Sequence, residues 1–268
     1  MDLELKGKTA LVTGSTRGIG KAISMVLSNE GANLAIVGRS RDRLDKSAKD
    51  IFTKTGSKVF QVVADTGEDE SVENMIDSVS RHFGTIDILV NCAATPLGQV
   101  PLVTGEHFNN QLFLDDINVK VMGYIRCIKA VVPIMKKNNG GRIINIAGLA
   151  ARNVGSMVGS IRNSALVSIT KNLSYELGAY GISVCGVHPG YTKTESTEEK
   201  ILKRSKNEGV SKDQIVSEMR SVNPLDKIIE ASEVANVVAF LCSSKAIAIN
   251  GDFISSGGGV NTNAQRII

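Results

Sequence analysis

Residues 13–20 read Thr13-Gly14-Ser15-Thr16-Arg17-Gly18-Ile19-Gly20, directly after the apolar, β-branched run 9–13 and just before a helix-like segment, 19–29. Glycines at 14, 18 and 20 let the chain turn tightly and bring its backbone close to a bulky group with no Cβ in the way. The first amides of the following helix lack helical partners and sit at the positive end of its dipole. The turn therefore predicts a bound anion, a phosphate above all. Two better-known phosphate turns do not fit. G-x-x-x-x-G-K-[ST] fails because the fifth residue after Gly14 is Ile19, and G-x-G-x-x-G fails because Ile23 stands where the third glycine belongs.

Outward from the turn, the runs 9–13, 34–37, 59–64, 86–90, 142–147 and 182–187 are nearly continuous in apolar residues, as strands covered on both faces are. Between the first four lie 19–29, 41–53 and 71–83, each long enough for a crossover helix. The interval 91–140 has room for two helices, 117–136 being the longer. A further helix is predicted over 160–177, where Ile161, Ala165, Ile169, Leu173 and Leu177 form an apolar stripe, with Gly178 and Gly181 at its end. This alternation predicts an α/β fold of the Rossmann type: a doubly wound parallel sheet of about seven strands with helices on both faces, in one domain. That domain spans 1–268. Segment 194–226 is dense in Glu, Lys and Arg; it reads as a solvated surface insertion or as a lid, and a substrate-covering insertion is the expectation carried forward.

Composition narrows the partners. The chain has 268 residues, 42% hydrophobic and 22% charged, which suits a single sizeable core. Against 31 Lys and Arg stand 27 Asp and Glu, a net charge of +4 with the basic residues scattered, so no nucleic-acid partner is expected. Cys92, Cys127, Cys185 and Cys242 are far apart and form no C-x-x-C pair, which argues against a disulfide framework or a metal site. No apolar run approaches the roughly 18 residues of a membrane span, and the first residues lack a secretion signal's pattern. A soluble, cytoplasmic protein without a membrane partner is expected.

T-G-x-x-x-G-x-G at 13–20 resembles the coenzyme turn of the short-chain dehydrogenase/reductase family, and the resemblance runs in order along nearly the whole chain. Asp65, followed by Thr66, closes the third strand where the family's Asp contacts adenine. Asn91-Cys92-Ala93-Ala94 is similar to the family's N-N-A-G, with Cys92 and Ala94 as departures. Asn118 stands in the long central helix, where a family Asn serves a water-mediated proton relay. Pro189-Gly190, with Thr192 and Thr194, resembles the segment lining the nicotinamide, and Ser255-Ser256-Gly257-Gly258 resembles the closing D-G-G.

The resemblance implies that Gly14, Ser15, Thr16, Arg17, Gly18, Ile19 and Gly20 hold a dinucleotide, aided by Asp65, Thr66, Asn91, Ala93 and the 189–194 segment. It also implies a homodimer or homotetramer assembled through 117–136, 160–177 and 252–254. Charge selects the coenzyme. An acidic residue after the second strand would hydrogen-bond a ribose 2′-hydroxyl, but this chain has Gly38-Arg39-Ser40 there, with Arg17 as a second cation. Two guanidinium groups suit a 2′-phosphate, so NADP(H) is favoured over NAD(H).

The resemblance breaks at the chemistry. The family uses a Tyr, a Lys four residues later and an earlier Ser. Here Tyr124, Tyr175, Tyr180 and Tyr191 are followed four residues on by Ile128, Ala179, Val184 and Glu195, so no Y-x-x-x-K exists. Aligned through Ala165-Leu166 and Thr170-Lys171, the Tyr and Lys positions fall on Gly159 and Asn163, and the Ser position at or near Gly148. Losing a positioned acid/base forfeits ~10²–10⁴-fold in rate, so a substitute is required if there is turnover.

The leading expectation is an NADP(H)-dependent oxidoreductase of a carbonyl, alcohol or enoyl substrate with a non-standard acid/base arrangement. Asn118, Arg162 and Asn163 are the catalytic candidates, with Arg152 and Ser156 nearby; an arginine would stabilise an alkoxide or an anionic or polar substrate rather than donate a proton. His188 or Tyr191 offers a second route to an acid. The alternative is a non-catalytic NADP(H)-binding protein, a sensor or partner subunit, and a different reaction on a structurally bound nucleotide stays open. Cys92 reads as an inert core residue, and His82 and His107 as ordinary helix or loop residues.

Overall fold

The computed structural model describes residues 1–94, 108–152 and 156–259; His107 lies outside them. The first half alternates strictly: β1 (Thr9–Thr13), α1 (Gly18–Asn29), β2 (Asn33–Gly38), α2 (Arg41–Thr55), β3 (Phe60–Val63), α3 (Asp69–Phe83) and β4 (Ile88–Asn91). After the undescribed stretch come α4 (Asn110–Asp116), a π-helical stretch Ile117–Met122 and α5 (Gly123–Lys137), one after another without a break. Then follow β5 (Gly141–Ile146), α6 (Met157–Gly178), β6 (Ile182–Pro189), β7 (Thr192–Lys193), α7 (Glu195–Glu208), α8 (Lys212–Arg220), β8 (Ile229–Glu230), α9 (Ala231–Cys242) and β9 (Phe253–Ser256).

Seven strands form one sheet in the order β3-β2-β1-β4-β5-β6-β9, with every described pairing parallel. The expected Rossmann-type sheet is present. Period-two alternation splits each strand between two apolar layers. Ala10 and Val12 of β1 join Ile23 and Leu27 of α1 and Val234 and Val238 of α9. Leu11 faces the other way, with Leu89 of β4, against Val72, Met75 and Val79 of α3 and Cys127, Ile128 and Val131 of α5. Strand order reverses between β1 and β4, and the crevice beyond their carboxyl ends is where such sheets bind ligands.

One part differs from expectation. The α6 stripe turns only partly inward: of its five residues Leu177 is buried, Ile169 and Leu173 pack half-buried against the core, and Ile161 is 43% exposed. The inward face is instead Gly159, Asn163, Leu166, Thr170 and Ser174. Of its polar members, Thr170 is matched by the sheet. Asn91 Nδ2 donates to Asn145 Oδ1 (3.0 Å), and Asn145 Nδ2 to Thr170 Oγ1 (2.9 Å), a buried ladder from β4 through β5 to α6. The 194–226 segment is a helical hairpin, α7 and α8, anchored by buried Thr197, Ile215 and Met219 and by the short β7–β8 pair.

Candidate active site

At the mouth of the switch-point crevice the turn has the shape its glycines dictate. Gly14 adopts φ +67°, and a Cβ there would lie 2.8 Å from Ala93 Cα, so a side chain would push β1's turn off the end of β4. At Gly20 a Cβ would meet Gly14 O at 2.3 Å, so α1 starts pressed onto the turn. Ser15 is buried; its hydroxyl donates to Val37 O (3.1 Å) and accepts from Val37 N–H (2.7 Å), pinning the turn to β2. Thr13 Oγ1 accepts the amides of Cys92 (3.0 Å) and Ala93 (3.1 Å), joining the ends of β1 and β4. Thr16 and Ile19 are part-buried and Arg17 is exposed.

An anion already sits at this turn, and it is the protein's own. Gly18 N–H donates to Glu195 Oε2 (2.8 Å), and Lys21 Nζ lies 3.9 Å from Glu195 Oε1. Glu195 is the first residue of α7, capped by Thr194, so the helical hairpin is latched to the first turn of α1. Cations gather here: Arg17, Lys21 and, on α7, Lys200, whose amine is pulled below its ordinary range by burial and by the Arg17 charge. Arg39 is 62% exposed, 3.7 Å from Asp65 Oδ2, while Ser40 caps α2 by accepting from Arg43 N–H. Asp65 Oδ1 in turn accepts from Gly67 N–H (2.9 Å), and Thr66 is buried beside it. On the far wall, Gly190 N–H donates to Ser256 O (3.2 Å), Thr192 Oγ1 to Gly190 O (3.0 Å), and Pro189 ends β6.

The inner half of the crevice holds the titratable groups. Asn118, the expected relay residue, is turned away from it. Its Nδ2 donates to Gly67 O (3.2 Å) and its Oδ1 accepts from Arg126 (2.9 Å). Lys120 points in instead: only 5% exposed, it donates from Nζ to Ala147 O (3.1 Å) at the end of β5. One turn on, the Tyr124 hydroxyl donates to Ile146 O (2.9 Å). Burial, and then the Arg162 charge, lower the Lys120 amine to about 7.

Arg162 and Asp116 neutralise each other. Arg162 donates to Asp116 Oδ1 at 2.6 Å, their side chains 12% and 1% exposed. The structure therefore corrects the expectation that Arg162 stands ready for an anionic substrate. Asn163 donates back to Gly159 O (2.8 Å). Among the described residues Asn163 Oδ1, Asp116 Oδ2 and Arg162 Nε are buried without a hydrogen-bond partner, as are Asn91 Oδ1 and both ring nitrogens of His188. A Cβ on Gly148 would lie 3.2 Å from Asn163 Nδ2, whereas Gly159 has ordinary room for one.

His188 is fully buried and stacked on Phe253 at 4.4 Å, and burial depresses it to about 4, which favours a neutral imidazole at pH 7. Burial raises the Tyr191 phenol, and pushes the Cys92 thiol up to about 12, which suits inert Cys92. Arg152 donates to Ser255 Oγ (3.0 Å), and Ser156 caps α6. His82 stacks on Phe60. Among the described residues no group of His, Cys, Asp and Glu could hold a metal, and no helix is long and apolar enough to cross a membrane.

A parallel sheet whose switch point carries a Cβ-free, anion-holding turn defines a nucleotide-binding α/β protein of the Rossmann class. Within that class the chain belongs to the short-chain dehydrogenase/reductase family. A family model described as enoyl-(acyl carrier protein) reductase matches residues 14–261. The chain is 36% identical over 259 residues to dehydrogenase/reductase SDR family member 4 of Oryctolagus cuniculus, covering 95% of this chain and 94% of that one. It is 31% identical over 256 residues to a 3-oxoacyl-[acyl-carrier-protein] reductase of Staphylococcus epidermidis, covering 94% and 98%. Among solved structures, L-sorbose reductase from Gluconobacter frateurii, complexed with NADPH and L-sorbose, superposes with a TM-score of 0.90 at 29% identity, covering 97% and 98%.

Proposed function

We propose that this chain is an NADP(H)-dependent oxidoreductase that interconverts a carbonyl and an alcohol without the Ser-Tyr-Lys set of its family. The observation that carries the coenzyme is the Glu195 carboxylate on Gly18 N–H. The chain satisfies its own turn with an anion, as a phosphate-holding turn does. The residues fit the coenzyme: the turn for the diphosphate, Arg39 and Ser40 with Arg17 for a 2′-phosphate, Asp65 and Thr66 for adenine, and Pro189, Gly190, Thr192 and Thr194 for the nicotinamide side. When bound, NADPH supplies a hydride. The named relatives are reductases, and one of the similar structures holds NADPH.

The positions where the family's Ser, Tyr and Lys fall are Gly148, Gly159 and Asn163, none of which exchanges a proton at neutral pH. The chain's own groups must therefore orient the carbonyl and manage its proton differently. Asn163 Oδ1, buried and unpartnered among the described residues, is free to accept from a ribose or substrate hydroxyl. The α7–α8 hairpin, tied to the turn by Glu195, is the substrate-covering segment of this reading. Assembly into a dimer or tetramer through α5, α6 and β9, and a cytoplasmic location, complete it; Ile161 and Tyr175 are exposed on α6.

The experiment is direct. NADPH and NADH are titrated by fluorescence, and nicotinamide absorbance is followed with L-sorbose, acetoacetyl-coenzyme A and phenanthrenequinone. Turnover with NADPH supports the reading. Tight NADPH binding with no turnover favours the non-catalytic sensor, whose supporting observation is the internal Arg162–Asp116 neutralisation.

A further inference from the structure

We propose that Lys120 is the acid/base group of this site, giving a proton to the substrate's carbonyl oxygen in reduction and taking it back in oxidation. The inference rests on the oxidoreductase reading above and assigns the role that reading leaves vacant.

Position comes first. Lys120 follows Asp116 by four residues across the π-helical stretch, and its amine reaches the last residue before Gly148, donating to Ala147 O. The head group thus ends beside the position where the family's Ser falls, at the carboxyl end of β5 and next to the end of β4. A lysine is seldom placed in such a setting without a carboxylate. Here the nearest carboxylate, Asp116, is engaged by Arg162, and among the described residues Lys120 forms no ion pair. A structural lysine would be expected to share a carboxylate or to extend to water. Among the described residues this one holds a single backbone acceptor, Ala147 O.

The surroundings isolate its titration. The titratable and charged groups that act on Lys120 are Asp116 just before it, Cys92 at the end of β4 and Arg162 on α6, with His188 of β6 feeling its charge in turn; Tyr124 stands one turn further along. Burial moves the Tyr124 phenol and Cys92 thiol far up and the His188 imidazole down to about 4, leaving all three neutral around pH 7. Asp116 and Arg162 cancel. Desolvation and the Arg162 charge bring the Lys120 amine to about 7, where a proton can be both given and recovered at neutral pH. In reduction the coenzyme, when bound, would supply the hydride to the carbonyl carbon, and the carbonyl π pair would be left on oxygen, which then needs one proton. The Lys120 N–H bond breaks with its pair staying on nitrogen, the O–H bond forms, and the neutral amine takes its next proton from water. The same amine, protonated, stabilises the developing negative charge on oxygen.

The test uses the whole chain and two independent readouts. Wild-type protein carrying 13C at lysine Cε is titrated by NMR between about pH 5 and 10, the Lys120 resonance being the one missing in K120R. NADPH oxidation by L-sorbose, acetoacetyl-coenzyme A and phenanthrenequinone is then followed for wild type, K120M and K120R, alongside NADPH binding by fluorescence. The expected results are a Lys120 resonance titrating near neutrality and a wild-type reduction rate that falls as pH rises through that midpoint. K120M and K120R should lose about 10²–10⁴-fold in kcat/KM, with NADPH affinity within about threefold of wild type. K120R keeps a charge without an accessible proton, so a merely structural cation would leave its rate high. A resonance titrating like an ordinary lysine, or an active wild type matched by K120R, overturns the proposal while the oxidoreductase reading stands. A wild type inert with all three carbonyls removes that reading, and the role of Lys120 with it, even if its amine titrates near neutrality.

Discussion

Arg162 reaches from α6 to the carboxylate of Asp116, 2.6 Å away and 1% exposed, and ties the reaction-side helix to the end of α4. The pair is incomplete, since among the described residues Asp116 Oδ2 and Arg162 Nε have no partner. Breaking a buried pair on one side strands a charge, which costs about 3–5 kcal/mol, whereas removing both is often nearly neutral. R162L and D116L should each lower the urea midpoint strongly, and the double variant should recover most of the loss. Equal, additive losses would show that the pair contributes no coupled energy.

Lys120 makes stability depend on pH with a definite sign. Its amine is near 7 in the folded chain and near the ordinary lysine value when unfolded, so between those two the unfolded chain carries the extra proton. Folding stability should therefore rise with pH across that window, by at most about 1.4 kcal/mol per unit, and fall as pH drops towards 7. K120M should lose this component, gaining relative to wild type at pH 7 and below. Chemical denaturation of both proteins across the window checks it; parallel curves would contradict it.

What was legible in the residues, and what was not, follows from the physics of each part. Gly14 and Gly20 announced the turn because only a missing Cβ permits their contacts, and the strands showed as apolar runs because both faces are covered. Lys120 was invisible for two reasons. Lysines are rarely buried, and Ile117–Met122 is π-helical, so a 3.6-residue period does not hold there; Asn118 was singled out by the family resemblance alone. The four-residue spacing from Asp116 was the one available signal. On α6 the apolar stripe misled because polar Thr170 goes inward to meet Asn145, which the sheet supplies from β5, a pairing no local pattern records.

The second guanidinium of the turn region gives a coenzyme prediction. Arg39 is held loosely, 3.7 Å from Asp65 and mostly exposed, so it can swing to a 2′-phosphate at little cost. A hydrogen bond to a charged group is worth about 1.5–3 kcal/mol, so R39A should weaken NADPH by at least about tenfold and leave NADH nearly unchanged. Fluorescence titration of both coenzymes decides it. Equal weakening of the two would assign Arg39 to the turn's folding instead of to the phosphate.

Glu195 competes with the coenzyme for the amide end of α1. Its side chain is 58% exposed, and among the described residues its polar contacts are one hydrogen bond to Gly18 N–H and a distant Lys21, so little holds it in place. A carboxylate at a helix N-terminus is worth about 0.3–1 kcal/mol, which an incoming phosphate must displace. E195A should therefore bind NADPH about two- to fivefold more tightly and lose the latch that orders α7 over the turn. Hydrogen exchange of the α7 amides should quicken in the free E195A protein and return to the wild-type rate if coenzyme contacts take over the latch. Weaker NADPH binding by E195A would mean that the carboxylate helps to build the site instead of filling it.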